Sequence, residues 1–202
     1  MTIGVVFFDL GGVIVRTEFQ APRERLAQRL GMTYEGLVKL VFEGESSRRA
    51  SLGEISTQEH WAAVIRALSL PPSAAEIVGQ EFFAGDFVDR ELLNFIRSLR
   101  QQYKTGLISN AWPDLRDYIV RSKFDDAFDE MVISAEVGLM KPDPRIYHLA
   151  LQKTGVAPAA AVFLDDFAEN IEAARAVGMY AIQFTQPEKA LEELKQLLAN
   201  HR

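Results

Sequence analysis

The chain has 202 residues, of which 48% are apolar and 25% charged, and its net charge is −6 at pH 7. This length suits one domain, or one domain with a smaller inserted unit, and the composition argues against disorder. The absence of cysteine excludes disulfides, thiolate catalysis and cysteine-ligated zinc. The acidic balance argues against a nucleic-acid partner. Because no apolar run is long enough to span a membrane and no basic leader begins the chain, we expect a cytoplasmic protein.

Short segments rich in Val, Ile and Phe alternate with segments of helical periodicity along most of the chain. This alternation predicts an α/β fold, in which a doubly wound (Rossmann-like) five-stranded parallel sheet carries helices on both faces. The predicted strands are residues 4–8, 105–108, 131–133, 161–164 and 179–184. The predicted helices of this unit are residues 89–103, 113–123, 143–154, 168–177 and 187–199.

One region, residues 18–85, interrupts the alternation because it has helical periodicity and no convincing strand. Its pattern predicts four helices, and two serines, Ser56 and Ser73, stand at capping-box spacing before a glutamate. We predict an α/β core domain of residues 1–16 and 87–202, and a helical cap domain of residues 17–86 above the C-terminal edge of the sheet. The predicted cap helices are residues 21–30, 34–42, 58–69 and 74–83.

Asp9 directly follows the first apolar strand, and two glycines come after it. Packing does not require a carboxylate at the end of a buried parallel strand, whereas ligands of open α/β sheets bind outside such ends. The glycines allow the backbone to turn sharply and to approach a ligand closely. We therefore predict that Asp9 acts outside the sheet, as a nucleophile or as a metal ligand.

Three further predicted strands lead into polar or charged residues. Ser109 and Asn110 follow the second strand, and the third leads through a loop to Lys141. Asp165 and Asp166 follow the fourth strand. One such residue alone is often only a helix cap, but several at one edge of a sheet indicate a site.

The charges of these residues indicate the chemistry. Three converging carboxylates, from Asp9, Asp165 and Asp166, would raise the pKa of at least one of them unless a cation lies among them. Oxygen ligands without cysteine favour Mg²⁺ over zinc. Lys141 is suited to a phosphate, and Ser109 can donate to phosphoryl oxygens. The residues therefore predict Mg²⁺-assisted phosphoryl transfer in which Asp9 attacks phosphorus.

Four segments in this order resemble the motifs of the haloacid dehalogenase superfamily. They are residues 8–14 (FDLGGVI), 107–110 (LISN), 141–142 (KP) and 163–166 (FLDD). The resemblance spans the whole chain and includes a helical cap inserted after the first motif, as in subfamily I. The chain is most similar to the branch of sugar-1-phosphate phosphatases and of phosphatases like the N-terminal domain of epoxide hydrolase.

The resemblance implies a role for each motif residue. It implies that the first strand lies beside the fourth and that Mg²⁺ is held by the Asp9 carboxylate, the Gly11 main-chain carbonyl and the Asp165–Asp166 pair. The implied catalytic residues are Asp9, which forms an aspartyl-phosphate, Ser109 and Lys141. Substrate binding is implied for Ser109, Asn110 and Lys141, and a supporting role for Asn170.

The chain departs from this pattern at Gly11. Most phosphatases of the superfamily carry an aspartate there that acts as general acid and base, a kind of help worth about 10²–10⁴ in rate. The protein could hydrolyse esters whose leaving groups need little protonation, such as anomeric sugar phosphates or acyl phosphates. Another group, for example Glu18 or His60, or a water relay could replace the acid. Alternatively, the protein has lost catalysis and binds a metabolite.

L-2-haloacid dehalogenases also lack an acid at this position, so they form a further alternative. Enzymes of that family use no metal and have no paired aspartates in the fourth motif. Without a cation, Asp165 and Asp166 would lie beside an anionic substrate, which is unfavourable. We therefore predict a phosphatase acting on a small phosphorylated metabolite, with no nucleic-acid or membrane partner and with the oligomeric state left open.

Overall fold

The computed structural model describes residues 2–201; Met1 and Arg202, at the two ends of the predicted core domain, lie outside the described residues. Within residues 2–201, seven strands form two sheets. The larger sheet is parallel, has five strands and follows the order β5-β4-β1-β6-β7, so the first strand lies beside the strand that ends in Asp165. The strands are β1 Val5–Phe8, β2 Val15–Thr17, β3 Asp86–Val88, β4 Lys104–Ser109, β5 Glu130–Ile133, β6 Ala161–Asp165 and β7 Tyr180–Gln183.

Helices cover both faces of the larger sheet, which confirms the predicted doubly wound α/β fold. Within β1, Val6 and Phe8 face one apolar cluster, while Val5 and Phe7 face the other. This continuous apolar strand is fully buried because helices pack on both of its sides. The helices of this unit are α6 Arg90–Leu99, α7 Leu115–Arg121, α8 Ser134–Val137, α9 Pro144–Thr154, α10 Ala168–Ala176 and α11 Pro187–Asn200.

Residues 21–83 form a helical unit with its own apolar cluster, which includes Leu26, Leu37, Val64 and Phe82. Five α-helices lie in this stretch, so the prediction of four was one short. The helix that the sequence analysis missed, Glu45–Ser51, is short and largely polar, and it lacks the apolar periodicity that reveals a helix. The helices are α1 Ala21–Arg29, α2 Tyr34–Phe42, α3 Glu45–Ser51, α4 Thr57–Ala67 and α5 Ala75–Phe83.

Of the two predicted capping boxes, one is present. Ser56 and Glu59 exchange hydrogen bonds at the start of α4 in both directions. The box predicted at Ser73 is wrong, because Pro72–Ala74 forms a 3-10 turn and α5 begins after it without a side-chain cap. A proline at the start of this turn favours the turn over an extended cap residue.

A two-stranded antiparallel ribbon of β2 and β3, absent from the predicted elements, connects the helical unit to the sheet. Thr17 and the buried Arg23 both donate to Asp86 Oδ1, at 2.8 and 3.0 Å. Arg16 donates to Asp89 Oδ2 at 2.8 Å, at the start of α6. These polar contacts hold together the two segments through which the chain enters and leaves the helical unit. Within residues 2–201, no helix has both the length and the apolar character needed to cross a membrane.

Candidate active site

The pairing of β1 with its two neighbours brings the predicted residues to one edge of the sheet. The Asp9 N–H donates to the Leu164 carbonyl at 2.8 Å, and Asp165 is the next residue along β6. On the other side of β1, the strand β4 ends at Ser109, which is buried. Parallel strands end at the same edge, so side chains far apart in sequence meet there.

Lys141 bridges two of the carboxylates from the loop between α8 and α9. Its Nζ lies 2.9 Å from Asp9 Oδ1 and 2.5 Å from Asp165 Oδ2, and its side chain is 1% exposed. Charges removed from water in this way are tolerated only when they are paired. The side chain of Asn110 contacts the main chain of Lys141, with the Lys141 N–H donating to Oδ1 at 2.8 Å.

Both carboxylate oxygens of Asp165 accept hydrogen bonds from the protein. Oδ1 accepts from the Phe167 N–H at 2.8 Å and from Asn170 at 2.9 Å. Oδ2 accepts from Lys141 and, at 3.0 Å, from Asn170. The fully buried Asp165 is therefore satisfied by its neighbours, and Asn170 supports it as predicted from the resemblance.

Asp166 differs from Asp165 because its Oδ1 is buried and has no hydrogen-bond partner among the described residues. The backbone of Gly12 lies against the same carboxylate. A Cβ at Gly12 would lie 2.2 Å from Asp166 Oδ2, and the φ of +72° is one that residues with a side chain rarely adopt. The close approach therefore requires glycine at residue 12. A buried carboxylate oxygen without a hydrogen-bond partner costs free energy, and a bound cation would remove that cost.

The pKa values of the carboxylates also favour a cation at this site. Burial raises the pKa of Asp9 from 3.8 to about 7, against the opposing charge of Lys141 and with a further increase from Asp165. Burial likewise raises the pKa of Asp166 to about 6, and the charge of Asp165 adds to this effect. A bound cation would lower both pKa values, because it stabilises the ionised carboxylates.

The three carboxylates Asp9, Asp165 and Asp166 can each offer one oxygen such that these oxygens lie within 4.8 Å of one another. Carboxylate oxygens at this spacing suit a hard divalent ion such as Mg²⁺. The donor set and the unpartnered oxygen therefore fit the predicted cation. The ligand roles of these residues and of the Gly11 carbonyl stay predictions.

Gly11 faces solvent, and a Cβ placed there would meet no atom within 4 Å. Its φ lies outside the left-handed region, unlike that of Gly12. Local sterics therefore permit a side chain at this position. The absence of an acid at residue 11 is a property of the sequence and is not imposed by crowding.

The two residues considered as replacements for that acid have other partners. Glu18 Oε1 lies 3.3 Å from Arg16 Nη2 in the connecting ribbon. His60 is fully buried in the helical unit, where its Nδ1 lies 2.9 Å from Ser46 Oγ and its ring lies 4.3 Å from that of Trp112. The contacts of His60 indicate a packing role.

The sequence analysis did not single out Ser134, which also organises this edge. Its hydroxyl accepts from the Ala111 N–H at 2.9 Å and donates to the Ala111 carbonyl at 3.2 Å. It thus fixes the loop that follows Ser109. Ser134 comes directly after the buried strand β5, so the signal that identified the other residues was present here too.

Most of the chain matches the model of a known family. The model of the haloacid dehalogenase-like hydrolases matches residues 3–178. The chain belongs to this family. Its five-stranded parallel sheet is the Rossmann-like fold of the haloacid dehalogenase superfamily.

Curated relatives in the family include a bifunctional enzyme and a sugar phosphatase. Rat bifunctional epoxide hydrolase 2 is 27% identical over an alignment of 218 residues, gaps included, that covers 98% of this chain and 39% of that protein. The chain thus spans about two-fifths of the length of that relative. D-ribitol-5-phosphate phosphatase of Bacteroides thetaiotaomicron is 26% identical over an alignment of 201 residues, gaps included, that covers 88% of this chain and 90% of the relative.

Solved structures with the same fold include a family enzyme with magnesium and phosphate bound and a dehalogenase. A haloacid dehalogenase family enzyme of Bacteroides thetaiotaomicron, in complex with magnesium and inorganic phosphate, has a TM-score of 0.75 at 19% identity, covering 90% of this chain and 93% of the other. A dehalogenase has a TM-score of 0.72 at 20% identity, covering 98% and 97%. At these identities the likeness shows the fold alone, so the chemistry must be argued from the site.

Proposed function

We propose that the protein is a Mg²⁺-dependent phosphatase that hydrolyses a small phosphorylated metabolite of the sugar-phosphate class through an aspartyl-phosphate on Asp9. The observation that carries this proposal is the cluster of Asp9, Asp165 and Asp166 with Lys141 between two of them. Curated sugar-phosphate phosphatases among the relatives favour the same substrate class.

In the first step, a carboxylate oxygen of Asp9 attacks phosphorus and the bond from phosphorus to the leaving oxygen breaks. The Leu10 N–H donates to Asp9 Oδ1 at 2.7 Å, and the Lys141 ammonium forms an ion pair with the same oxygen at 2.9 Å. Asp9 Oδ2 accepts no hydrogen bond from residues 2–201, which leaves it available to a ligand. The Lys141 ammonium stabilises the attacking carboxylate in the ionised form that the attack requires.

In the second step, water attacks the phosphorus of the aspartyl-phosphate, releasing inorganic phosphate and regenerating the Asp9 carboxylate. Ser109 donates to a phosphoryl oxygen, and Lys141 offsets the negative charge of the group that is transferred. Asp9, Asp165, Asp166 and the Gly11 carbonyl would hold Mg²⁺, whose positive charge would offset the negative charge of the carboxylates and the phosphoryl group. Because both oxygens of Asp165 already accept hydrogen bonds from the protein, Asp166 would offer the more available oxygen.

The missing side chain at residue 11 restricts the esters that react quickly. With no acid to protonate the leaving oxygen, esters with good leaving groups are favoured, such as anomeric sugar phosphates and acyl phosphates. The space beside Gly11 admits part of the substrate or a water molecule.

We also propose that residues 17–86 form a cap domain on a core domain of residues 1–16 and 87–202. The separate apolar cluster of the helical unit and the paired strands β2 and β3 support this division. Trp112, in the loop after Ser109 and Asn110, packs among aromatic side chains of the helical unit, so the cap lies above the site edge. Closure of the cap would limit the access of water during the first step.

The dehalogenase alternative is less consistent with the site. A metal-free enzyme would keep the unpartnered, buried Asp166 oxygen beside an anionic substrate, which costs free energy. The second alternative, a metabolite-binding protein without turnover, would use the same residues without covalent chemistry.

A panel of phosphorylated metabolites and 2-haloacids, assayed with Mg²⁺ and with EDTA, separates these functions. We expect turnover of phosphate esters that EDTA abolishes and added Mg²⁺ restores, with anomeric sugar phosphates and acyl phosphates ahead of simple alkyl phosphates. Release of halide that EDTA does not affect would establish the dehalogenase instead. If no compound turns over while phosphorylated ligands still raise the melting temperature, the binding protein is correct.

A further inference from the structure

The side-chain amide of Asn110 forms two hydrogen bonds with the main chain of Lys141, one as acceptor and one as donor. The Lys141 N–H donates to Asn110 Oδ1 at 2.8 Å, and Asn110 Nδ2 donates to the Lys141 carbonyl at 2.9 Å. The two residues are separated by 31 positions in sequence. This amide therefore joins the loop after β4 to the loop between α8 and α9.

Lys141 depends on such a contact because no regular element holds it. Residues 139–143 contain no helix or strand, and β-sheet or helical hydrogen bonds therefore do not fix the Lys141 backbone. Yet the ammonium at the end of its side chain must reach two buried carboxylates, 2.9 Å from Asp9 and 2.5 Å from Asp165. Since the side chain is buried and extends between fixed partners, a small shift of the backbone would move the ammonium out of contact with one of them.

The partner side of the contact is itself rigid. Asn110 follows Ser109, the last residue of the interior strand β4, and Ala111 is held on both main-chain groups by the buried Ser134. The loop that carries Asn110 is thus anchored before and after this residue. It can serve as a fixed reference for the more irregular loop of Lys141.

We propose that Asn110 is a positioning residue for Lys141: its amide clamps the Lys141 main chain and thereby sets the ammonium between Asp9 and Asp165. The importance of this role for turnover rests on the proposed phosphatase function, whereas the clamp itself does not. The prediction that Asn110 also binds substrate is separate, because it concerns a direct contact between Asn110 and the ester.

The kinetic test is a double-mutant cycle of Asn110→Ala and Lys141→Ala. If Asn110 acts through Lys141, Asn110→Ala lowers kcat by about 100-fold with little change in KM, because the ammonium is displaced but still present. In the Lys141→Ala background the same substitution then has no further effect on kcat. Equal losses of kcat in both backgrounds, or a change confined to KM, would overturn the proposal.

The second readout is independent of activity. Modification of lysines by an amine-directed reagent, measured by mass spectrometry, compares Lys141 with the exposed Lys189. In Asn110→Ala and Asn110→Asp the relative rate at Lys141 rises several-fold, because the ammonium leaves its buried position. The carboxylate introduced by Asn110→Asp keeps an acceptor for the Lys141 N–H but turns a negative oxygen toward the Lys141 carbonyl, so it also breaks the clamp. Unchanged modification of Lys141 in both variants would refute the proposal even if activity were lost.

Asn94→Ala is the matched control, since Asn94 is an exposed asparagine on α6 whose side chain accepts a hydrogen bond from the surface residue Arg97. It leaves kcat and the modification of Lys141 unchanged, and near-ultraviolet circular dichroism verifies that each variant is folded. If the wild-type protein hydrolyses no phosphate ester but Lys141 responds to Asn110 substitution as described, the proposed function fails while the clamp stands.

Discussion

The edge of the parallel sheet and the helical unit above it are built on different interactions. At the edge, Asp9, Lys141 and Asp165 form a buried network of charges in which each partner is fixed by short polar contacts. The helical unit meets this edge chiefly through aromatic packing around Trp112. The chemistry and the attachment of the helices therefore depend on different residues, so substitutions in one region should spare the property that depends on the other.

The aromatic contact is made by a residue of the site loop. The Trp112 ring lies 4.3 Å from that of His60 and 6.0 Å from those of Phe42 and Trp61, and its Nε1 donates to Ser47 at 3.1 Å. A second contact between the regions joins Thr57 Oγ1 to Asp114 Oδ1 at 2.8 Å. One loop therefore carries both Asn110, which contacts the main chain of Lys141, and Trp112, which contacts the helical unit.

The largest expected effect comes from the sheet edge. Asp9→Asn removes the nucleophile while keeping its shape, so hydrolysis of p-nitrophenyl phosphate with Mg²⁺ should fall by about 10⁴-fold or more. The melting temperature without metal should hold or rise, because a buried carboxylate whose pKa is raised to about 7 no longer has to ionise. Asp126→Asn, at an exposed ion pair with Arg97, is the matched control. Undiminished turnover in Asp9→Asn would end the covalent mechanism.

A smaller change of the opposite sign is expected from Gly11→Asp. The position has room for a side chain, and a carboxyl group there could protonate the leaving oxygen. Turnover of alkyl phosphates should stay the same or rise, by up to about 10²-fold, whereas acyl phosphates gain little. The measurement is kcat/KM for a series of esters of decreasing leaving-group acidity. A strong loss for every ester would show that the open space at residue 11 is needed by the substrate.

At the contact between the site loop and the helical unit, Trp112→Ala should affect stability more than chemistry. Loss of this half-buried ring should lower the free energy of unfolding by about 2 kcal/mol in urea denaturation. Ile77→Ala, at an exposed apolar residue of α5, should change it by under about 0.5 kcal/mol. Equal effects of the two substitutions would mean that Trp112 does not hold the regions together.

A gradual effect is the pH dependence of stability that arises from His60. Burial lowers its pKa from 6.5 to about 4, so below pH 6.5 the unfolded chain takes up a proton more readily than the folded protein. The free energy of unfolding should therefore fall between about pH 6.5 and pH 4, by at most about 1.4 kcal/mol per pH unit from this group.

His60→Gln should remove this contribution and leave the remaining slope unchanged. The raised pKa values of Asp9 and Asp166 act in the opposite sense, since protonation of these acids as pH falls favours the folded protein. The difference between the wild-type and His60→Gln slopes isolates the histidine. Identical slopes would contradict the assignment of a buried, neutral His60.

Much of the α/β unit follows from the sequence because its signals are local. Continuous apolar strands and amphipathic helices repeat with clear periods, and the predicted strand ends lie within one or two residues of the observed ones. The short helix Glu45–Ser51 and the ribbon of β2 and β3 could not be read in this way. The helix has no apolar stripe, and the ribbon consists of two three-residue strands whose partners lie about 70 positions apart.

The sequence by itself determined which residue types stand at the ends of the strands, and thus that three carboxylates, a lysine and a serine are available at one edge. Only the tertiary structure decided how they share their contacts. It satisfies Asp165 with Asn170 and Lys141, leaves an oxygen of Asp166 without a partner among the described residues, and clamps Lys141 with Asn110. The physical reason is that strand periodicity is a local property, whereas hydrogen-bond satisfaction depends on loops that meet only after the chain has folded.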